Sequence, residues 1–306
     1  MRNAVHSRIA KALNAYVAAN PNERTDEILP DIPMEQIAAW AAQDIKGRPL
    51  HARTEVIPEP LKARIITKGE GFAYYASMPL QKDAWRTLVG KKEFSLIGEP
   101  LSEEHLISIE QNTRKLLDEV GLPQIIFDLW VSGDYSAATD GLSLAISQVA
   151  MEEYLAAGGI QHGSDLYEIA TKVLGAHVIS YGKDDESLSQ EERDGLPETF
   201  TMKNGQLMGS PLSFPILRAI NYVAYRSALK KYIKDLGGDW TKAEKLEMRV
   251  YGDDILFKCN KHFYNDYWKS QRRHDWLHAV TRKELHQFSI PYGEQRGMEA
   301  IAQRTI

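Results

Sequence analysis

The stretch EMRVYGDDILFKC, at 247–259, constrains the fold of this 306-residue chain more than any other part of it. Apolar and β-branched residues flank a Gly-Asp pair, which predicts two short strands joined by a tight turn. Gly252 suits that turn because glycine adopts backbone conformations that other residues avoid. The segment IIFDLWVSGD, at 125–134, predicts another strand by the same apolar and β-branched content.

Segments with helical spacing of apolar residues alternate with these strands. They predict helices over 79–90, 101–120, 140–157 and 213–235. The remaining expectations are an amphipathic surface helix at 1–20, a polar connector at 21–34, a basic strand closing the segment 57–69, and an exposed loop at 181–198. Strands and helices in this mixed order predict an α+β domain with an antiparallel sheet.

Composition excludes several classes of protein. No run approaches the roughly eighteen apolar residues of a membrane span, so we expect no membrane segment. Cys259 is the single cysteine, which excludes an internal disulfide framework. The net charge of −5 argues against general attraction to nucleic acid, although a local basic channel is compatible with it.

Two neighbouring carboxylates, Asp253 and Asp254, stand at the tip of the predicted hairpin. A divalent cation would relieve their mutual repulsion, and carboxylate oxygens suit magnesium. An exposed acidic turn is the simpler alternative. Asp134 ends the predicted strand, and Asp140 opens a predicted helix, where turn and N-cap roles are the alternatives. If Asp134 lies opposite the hairpin, the three carboxylates would bind two metal ions about 4 Å apart, as in in-line phosphoryl transfer.

A glycine-serine loop leads into the long predicted helix, in KNGQLMGSPLSFPILRAINYVAY at 203–225. The loop backbone at Gly209 and Ser210, with the helix N-terminus, predicts a site for a phosphate or a template nucleotide. The alternative makes Ser210 and Ser213 ordinary helix caps. Asn221, two turns further on, would then be a satisfied polar residue.

The order of these features resembles the palm of the polymerases of positive-strand RNA viruses, whose successive motifs are called A, B and C. The likeness is greatest to the ourmia-like viruses (botourmiaviruses) and their narnavirus relatives, and it spans roughly residues 55–268. The matching strings are GDYSAATDGLS at 133–143, GQLMGSPLSFPIL at 205–217, GDDILFKC at 252–259 and, for the basic motif F, KARIITKGEGFAYYASMPLQKDAWRTL at 62–88.

The resemblance implies a role for each matching residue in the centre of the palm. Asp134 and Asp253 match the aspartates that bind two Mg²⁺ or Mn²⁺ ions, and Asp254 matches the supporting third carboxylate. Asp140 matches the residue that senses the ribose 2′-hydroxyl of the incoming nucleotide. Ser213 stands where the family places a hydroxyl that helps this selection.

Further positions match residues that bind the nucleotide. Asn221 is one of them, although it lies later in its helix than the sugar-sensing asparagine of many RNA virus polymerases. Lys62, Arg64 and Lys68 match the cations along the nucleotide entry path, where fixed positive charge binds triphosphate. A solvated basic edge strand is the alternative for these three.

The resemblance implies a polymerase palm with an antiparallel sheet and packed helices, partial fingers, and a thumb that is absent or incomplete. We expect an N-terminal fingers-like region at 1–124, with motif F at 62–88, a palm at 125–268 and a tail of uncertain reading frame at 269–306. Motif D is not readable in that tail. A one-base shift of the codons for 275–286 permits the motif D pattern I-G-F-x-x-S-x-G-K-N-Y, so we predict a frame change between codons 268 and 275, which sequencing the RNA tests.

The predicted function is RNA-dependent RNA synthesis in the replication of a viral genome. RNA template, RNA product and NTPs are the expected partners, and the host cytoplasm is the expected compartment, with the mitochondrion second. Two alternatives stay open. A reverse transcriptase typically carries a bulky residue where Asp140 stands, and a truncated or defective polymerase would bind RNA without catalysis.

Overall fold

The computed structural model describes residues 34–60, 62–133, 138–181, 189–195 and 199–269. Its fold is mixed α+β with two open sheets, in agreement with the predicted order of elements. The helices are α1 (Met34–Ile45), α2 (Gly71–Val89), α3 (Glu103–Glu119), α4 (Ala138–Gly141), α5 (Leu144–Ala157), α6 (Asp165–Leu174), α7 (Gln190–Gly195), α8 (Ser213–Asp235) and α9 (Trp240–Ala243). The strands are β1 (Leu50–Glu59), β2 (Lys62–Gly69), β3 (Leu129–Gly133), β4 (His177–Ser180), β5 (Thr199–Thr201), β6 (Met248–Tyr251) and β7 (Asp254–Cys259). A 3₁₀ turn spans Lys92–Phe94, and a π-helix spans Phe263–Trp268.

Some expected features lie outside the described residues. These are the helix at 1–20, the connector at 21–34 except for Met34, parts of the loop at 181–198, Asp134, and the tail after Lys269 with its predicted change of frame. Within 181–198 the described part contains α7, so this segment is not entirely a loop.

The predicted hairpin is confirmed. β6 and β7 pair antiparallel with Tyr251 opposite Asp254, and a tight turn that begins at Gly252 joins them. Gly252 has a φ of +64°, in the left-handed region that favours glycine. On its other side β7 pairs with β3, where Gly133 lies opposite Ile255. The strand order β3-β7-β6 gives an antiparallel sheet, as predicted.

The second sheet joins segments that are far apart in the sequence. Its order is β2-β1-β4-β5, and β1 pairs parallel with β4, with Leu50 opposite His177. This parallel pair was not expected. β1 and β2 come from the region predicted as fingers-like and β4 and β5 from the region predicted as palm, so the sheet includes strands from both. The proposed boundary at residue 124 stays a prediction.

The helix expected at 79–90 begins earlier than predicted. α2 starts at Gly71 and contains Pro79 in its interior. Ala73, Ala76 and Leu80 form a buried face at helical spacing. Proline favours the first turn of a helix, yet Pro79 lies in the interior of α2. Burial of the earlier alanines outweighs that preference.

The other helices lie closer to their predicted bounds. The helices expected at 101–120 and 213–235 correspond to α3 and α8. The helix expected at 140–157 is interrupted between α4 and α5, where Ser143 has an extended backbone. Most side chains of α8 are buried, and it packs against α2, α5, β6 and the π-helix. Among the described helices we find none with the length and apolarity needed to cross a membrane.

Candidate active site

The two carboxylates of the hairpin turn form the centre of the candidate site. Asp253 is half-buried and Asp254 is exposed at the first position of β7. Carboxylate oxygens are donors that fit the coordination chemistry of Mg²⁺. Asp134, the third predicted ligand, follows Gly133 in the sequence and lies outside the described residues. Within the described ranges no group of three or more Asp, Glu, His or Cys side chains comes together, so the three-carboxylate site stays a prediction.

A cleft of about 540 Å³ opens beside Asp254. Ser132, Arg249 and Tyr251 line it from the sheet, and residues of the segment 96–101 line it as well. Its volume falls within the range of about 300–1,000 Å³ that is usual for ligand sites. The cleft is therefore large enough for a small ligand beside Asp254.

Arg249 adds positive charge to the wall of this cleft. Its side chain is buried and donates hydrogen bonds to the Met248 carbonyl at 2.9 Å and to the Glu247 carboxylate at 3.1 Å. Sequence reasoning identified neither Arg249 nor the segment 96–101 as part of the site. Arg249 and Tyr251 are two residues apart on β6 and therefore share one face of the strand. This spacing was the signal in the sequence that could have identified them.

Asn221 lies beneath the turn. Its side chain is fully buried, and Nδ2 is 3.2 Å from the Gly252 carbonyl oxygen, 3.1 Å from that of Asp253 and 3.5 Å from that of Asp254. An amide has two hydrogens to donate, so these three acceptors share them. The sequence predicted nucleotide binding for Asn221, whereas the structure places its amide against the backbone of the Gly252–Asp254 turn.

The loop before α8 contacts α4, the helix that carries the exposed Asp140. The backbone N–H groups of Gly205 and Gln206 donate to the carbonyls of Leu142 and Thr139, each at 2.7 Å. A β-carbon on Gly205 would lie 2.7 Å from the Thr139 carbonyl oxygen, so a side chain does not fit there. The predicted sugar-sensing residue is thus carried on a helix that the loop holds directly.

The same loop contacts β2, which carries the predicted cations. The Gly209 N–H donates to Thr67 Oγ1 at 3.4 Å, and a β-carbon on Gly209 would lie only 1.6 Å from the Thr67 carbonyl oxygen. Arg64 and Lys68 are exposed.

The two serines near the start of α8 are buried. Ser210 Oγ donates to the Val173 carbonyl at 3.1 Å, which ties the loop to α6. Ser213 is 4% exposed, and its Oγ has no hydrogen-bond partner within the described part of the chain. The structure therefore shows a packing role for Ser210, and its template role stays a prediction.

An aromatic cage beside the turn was missed by sequence reasoning. The Arg218 guanidinium carbon lies 4.1 Å from the ring centre of Phe214, 4.9 Å from that of Tyr251 and 5.6 Å from that of Trp85. Arg218 is fully buried, and its guanidinium nitrogens have no hydrogen-bond partner among the described residues. Burial lowers the pKa of Arg218 to about 10. The spacing of Phe214 and Arg218 along α8 was the only sign of this cage in the sequence.

Comparisons with known proteins give one informative relative. No family model matches the chain. Over 217 residues it is 30% identical to a protein of Ourmia melon virus (isolate Melon/Iran/VE9) described as an RNA-dependent RNA polymerase. The match covers 69% of this chain and 23% of that relative. This chain therefore corresponds to less than a quarter of the viral protein.

Proposed function

We propose that this chain, a distant homologue of the RNA-dependent RNA polymerase of Ourmia melon virus, carries the nucleotide-joining site of a viral RNA polymerase. The homology bears out the resemblance found in the motifs and supports a function related to viral RNA polymerases. The observation that carries the proposal is the Asp253-Asp254 turn, which lies beside a substrate-sized cleft and is held from below by α8.

Asp134, Asp253 and Asp254 would hold two Mg²⁺ or Mn²⁺ ions. When bound, these ions would lower the pKa of the RNA 3′-hydroxyl and stabilise the departing pyrophosphate. Asp134 is included because it directly follows Gly133, the register partner of Ile255, and Ile255 is adjacent to Asp254. The carboxylates would fix the ions and thereby set where the reacting oxygens lie.

The nucleotide would be selected by groups on three elements, α4, α8 and β2. The exposed Asp140 carboxylate would accept a hydrogen bond from the ribose 2′-hydroxyl, with help from Ser213. Lys62, Arg64 and Lys68 would bind the triphosphate through charge-assisted hydrogen bonds. Base pairing with an RNA template would select the base.

Two other readings of the site predict different products. A reverse transcriptase would extend a primer with deoxyribonucleotides. Asp140 argues against it, because a residue that senses the ribose 2′-hydroxyl has no role with a substrate that lacks this hydroxyl. A binding protein derived from a polymerase would hold primed RNA and extend nothing. Replication in the host cytoplasm, with the mitochondrion second, stays a prediction.

The test is extension of a primed RNA by the purified chain with Mg²⁺ or Mn²⁺. Asp253→Asn keeps the size of the side chain and removes the charge that binds metal, so we expect extension to be abolished. Asp118→Asn makes the same chemical change at an exposed position of α3 and should leave extension unchanged.

Residual extension by Asp253→Asn within a few-fold of wild type would overturn the metal-site assignment. Extension by the wild-type chain with deoxyribonucleotides in preference to ribonucleotides would favour the reverse transcriptase. Binding of primed RNA without any extension would favour the binding protein.

A further inference from the structure

The turn between β6 and β7 depends on a side chain from another element. A tight hairpin turn leaves backbone carbonyls without partners in its own ladder, and buried carbonyls need a donor. Here Nδ2 of Asn221 lies within 3.5 Å of the carbonyl oxygens of the three consecutive residues Gly252, Asp253 and Asp254. The donor comes from α8, a long and largely buried helix.

These bonds restrict how the two aspartates point. The direction of a side chain follows from the orientation of the peptide units on either side of its α-carbon. Fixing the carbonyls at 252, 253 and 254 fixes those peptide units, and so fixes where the two carboxylates leave the backbone. Asn221 achieves this from the buried side of the turn, whereas Asp254 is exposed.

A second contact from α8 restrains the same turn from its side. A β-carbon on Gly252 would lie 3.0 Å from the Phe214 ring, so the ring leaves little room at that glycine. The Phe214 ring also meets the Tyr251 ring edge-on, with centres 5.7 Å apart. Two side chains of one helix thus contact the turn, and both restrain its backbone.

We propose that Asn221 is a positioning residue that holds the Asp253 and Asp254 carboxylates in the geometry that binds a divalent cation. This role differs from contact with the nucleotide sugar, and it rests on the proposed function in which these carboxylates bind metal. Residues that orient metal ligands in this way typically affect metal affinity by about 10–100-fold.

Mn²⁺ affinity, measured by calorimetric titration of the full chain, tests the proposal. We expect Asn221→Ala to weaken Mn²⁺ binding about tenfold or more while the melting curve stays cooperative. Ile233→Val is the matched control, because it removes a buried methyl group near the far end of the same helix, at a cost of about 0.5–1.5 kcal/mol. It should leave Mn²⁺ affinity unchanged.

Asn221→Asp sharpens the test. It preserves the size of the side chain, removes the amide donors and places a carboxyl group near the cation site. Attraction between charges alone would strengthen Mn²⁺ binding in this variant, so weaker binding would identify geometry as the cause. If Asn221→Ala does not fold, Asn221→Ser replaces it, because one shorter hydroxyl cannot donate to all three carbonyls and the same loss of Mn²⁺ affinity is expected.

The outcomes separate this inference from the proposed function. The positioning role would be overturned if the folded Asn221 variants bound Mn²⁺ within twofold of the affinity of Ile233→Val. In that case, loss of Mn²⁺ binding in Asp253→Asn would still leave the proposed function standing. A change in ribose preference at unchanged Mn²⁺ affinity would also overturn it, in favour of sugar contact. A wild-type chain with no saturable Mn²⁺ binding would overturn the proposed metal site and this inference together.

Discussion

Arg218 is a buried cation, and we expect its replacement by an uncharged side chain to change the free energy of unfolding little. It has three aromatic neighbours and no hydrogen-bond partner among the described residues. Arg226, two turns later on the same helix, is the matched comparison. It is also buried and near aromatic rings, but it donates to the Leu246 carbonyl at 2.8 Å and to the Glu93 carboxylate at 3.2 Å. We predict opposite tolerance to methionine at these two positions.

The magnitude for Arg218 follows from two opposing effects. Its pKa of about 10 is lower than that of an ordinary guanidinium, because burial disfavours the charged form. At roughly 1.4 kcal/mol per pH unit, the charge costs the folded state on the order of 3 kcal/mol at any pH below that value. Attraction to three rings returns about 1 kcal/mol for each ring. Methionine keeps most of the volume and contacts rings favourably. The unfolding free energy of Arg218→Met should therefore lie within about 1 kcal/mol of wild type.

Arg226→Met removes both of these hydrogen bonds. It leaves the Leu246 carbonyl and the Glu93 carboxylate without this donor, which should lower the unfolding free energy by about 2–3 kcal/mol. Urea unfolding at pH 7, followed by tryptophan fluorescence and circular dichroism, measures both variants, and Trp85 reports directly on the cage. A loss for Arg218→Met as large as that for Arg226→Met would refute the reasoning, because it would mean that the guanidinium is well paired.

Four further predictions concern single residues. Gly209→Ala places a β-carbon 1.6 Å from the Thr67 carbonyl oxygen and should lower the melting temperature. The control Gly195→Ala, whose β-carbon meets no atom within 4 Å, should leave the melting temperature unchanged, and equal melting temperatures for the two variants would contradict the close contact. Asp140→Ala should reduce the ribo-to-deoxyribonucleotide ratio of kcat/KM by about tenfold or more, and an unchanged ratio would leave Asp140 as a helix residue alone. Arg64→Ala should raise the KM for NTPs more than it weakens RNA binding, and an equal effect on both would indicate a surface role. Burial raises the pKa of Cys259 to about 12, so iodoacetamide at pH 8 should label this thiol in urea and spare it in the native protein; rapid labelling of the native protein would contradict its burial.

Local sequence patterns were sufficient for some elements of the fold. The hairpin followed from Gly252 between two apolar segments, and α8 followed from a long segment whose proline, Pro215, stands near its start, where the first helical turn tolerates it. Both depend on neighbours in the sequence. The parallel pair of β1 and β4 joins segments that are far apart in the chain, and no local pattern encodes such a pairing.

The candidate site divides in the same way. Asp253 and Asp254 could be identified because they are adjacent in the sequence, and the resemblance drew attention to them. The contact between Asn221 and the hairpin turn could not be identified, since helical spacing gives the face of a helix and not the element that packs against it. The cage around Arg218 combines residues from α2, α8 and β6, so it exists only in the folded chain.

The loop from Gly205 to Gly209 has a consequence for how such a site can change over generations. At one end it holds the helix that carries Asp140, and at the other it contacts the strand that carries Lys68. If Asp140 selects the sugar and Lys68 binds the triphosphate, as proposed, a heritable change in this loop would alter both properties together. Under those roles, mutants selected for tolerance of a sugar-modified inhibitor through this loop would bind natural NTPs with lower affinity.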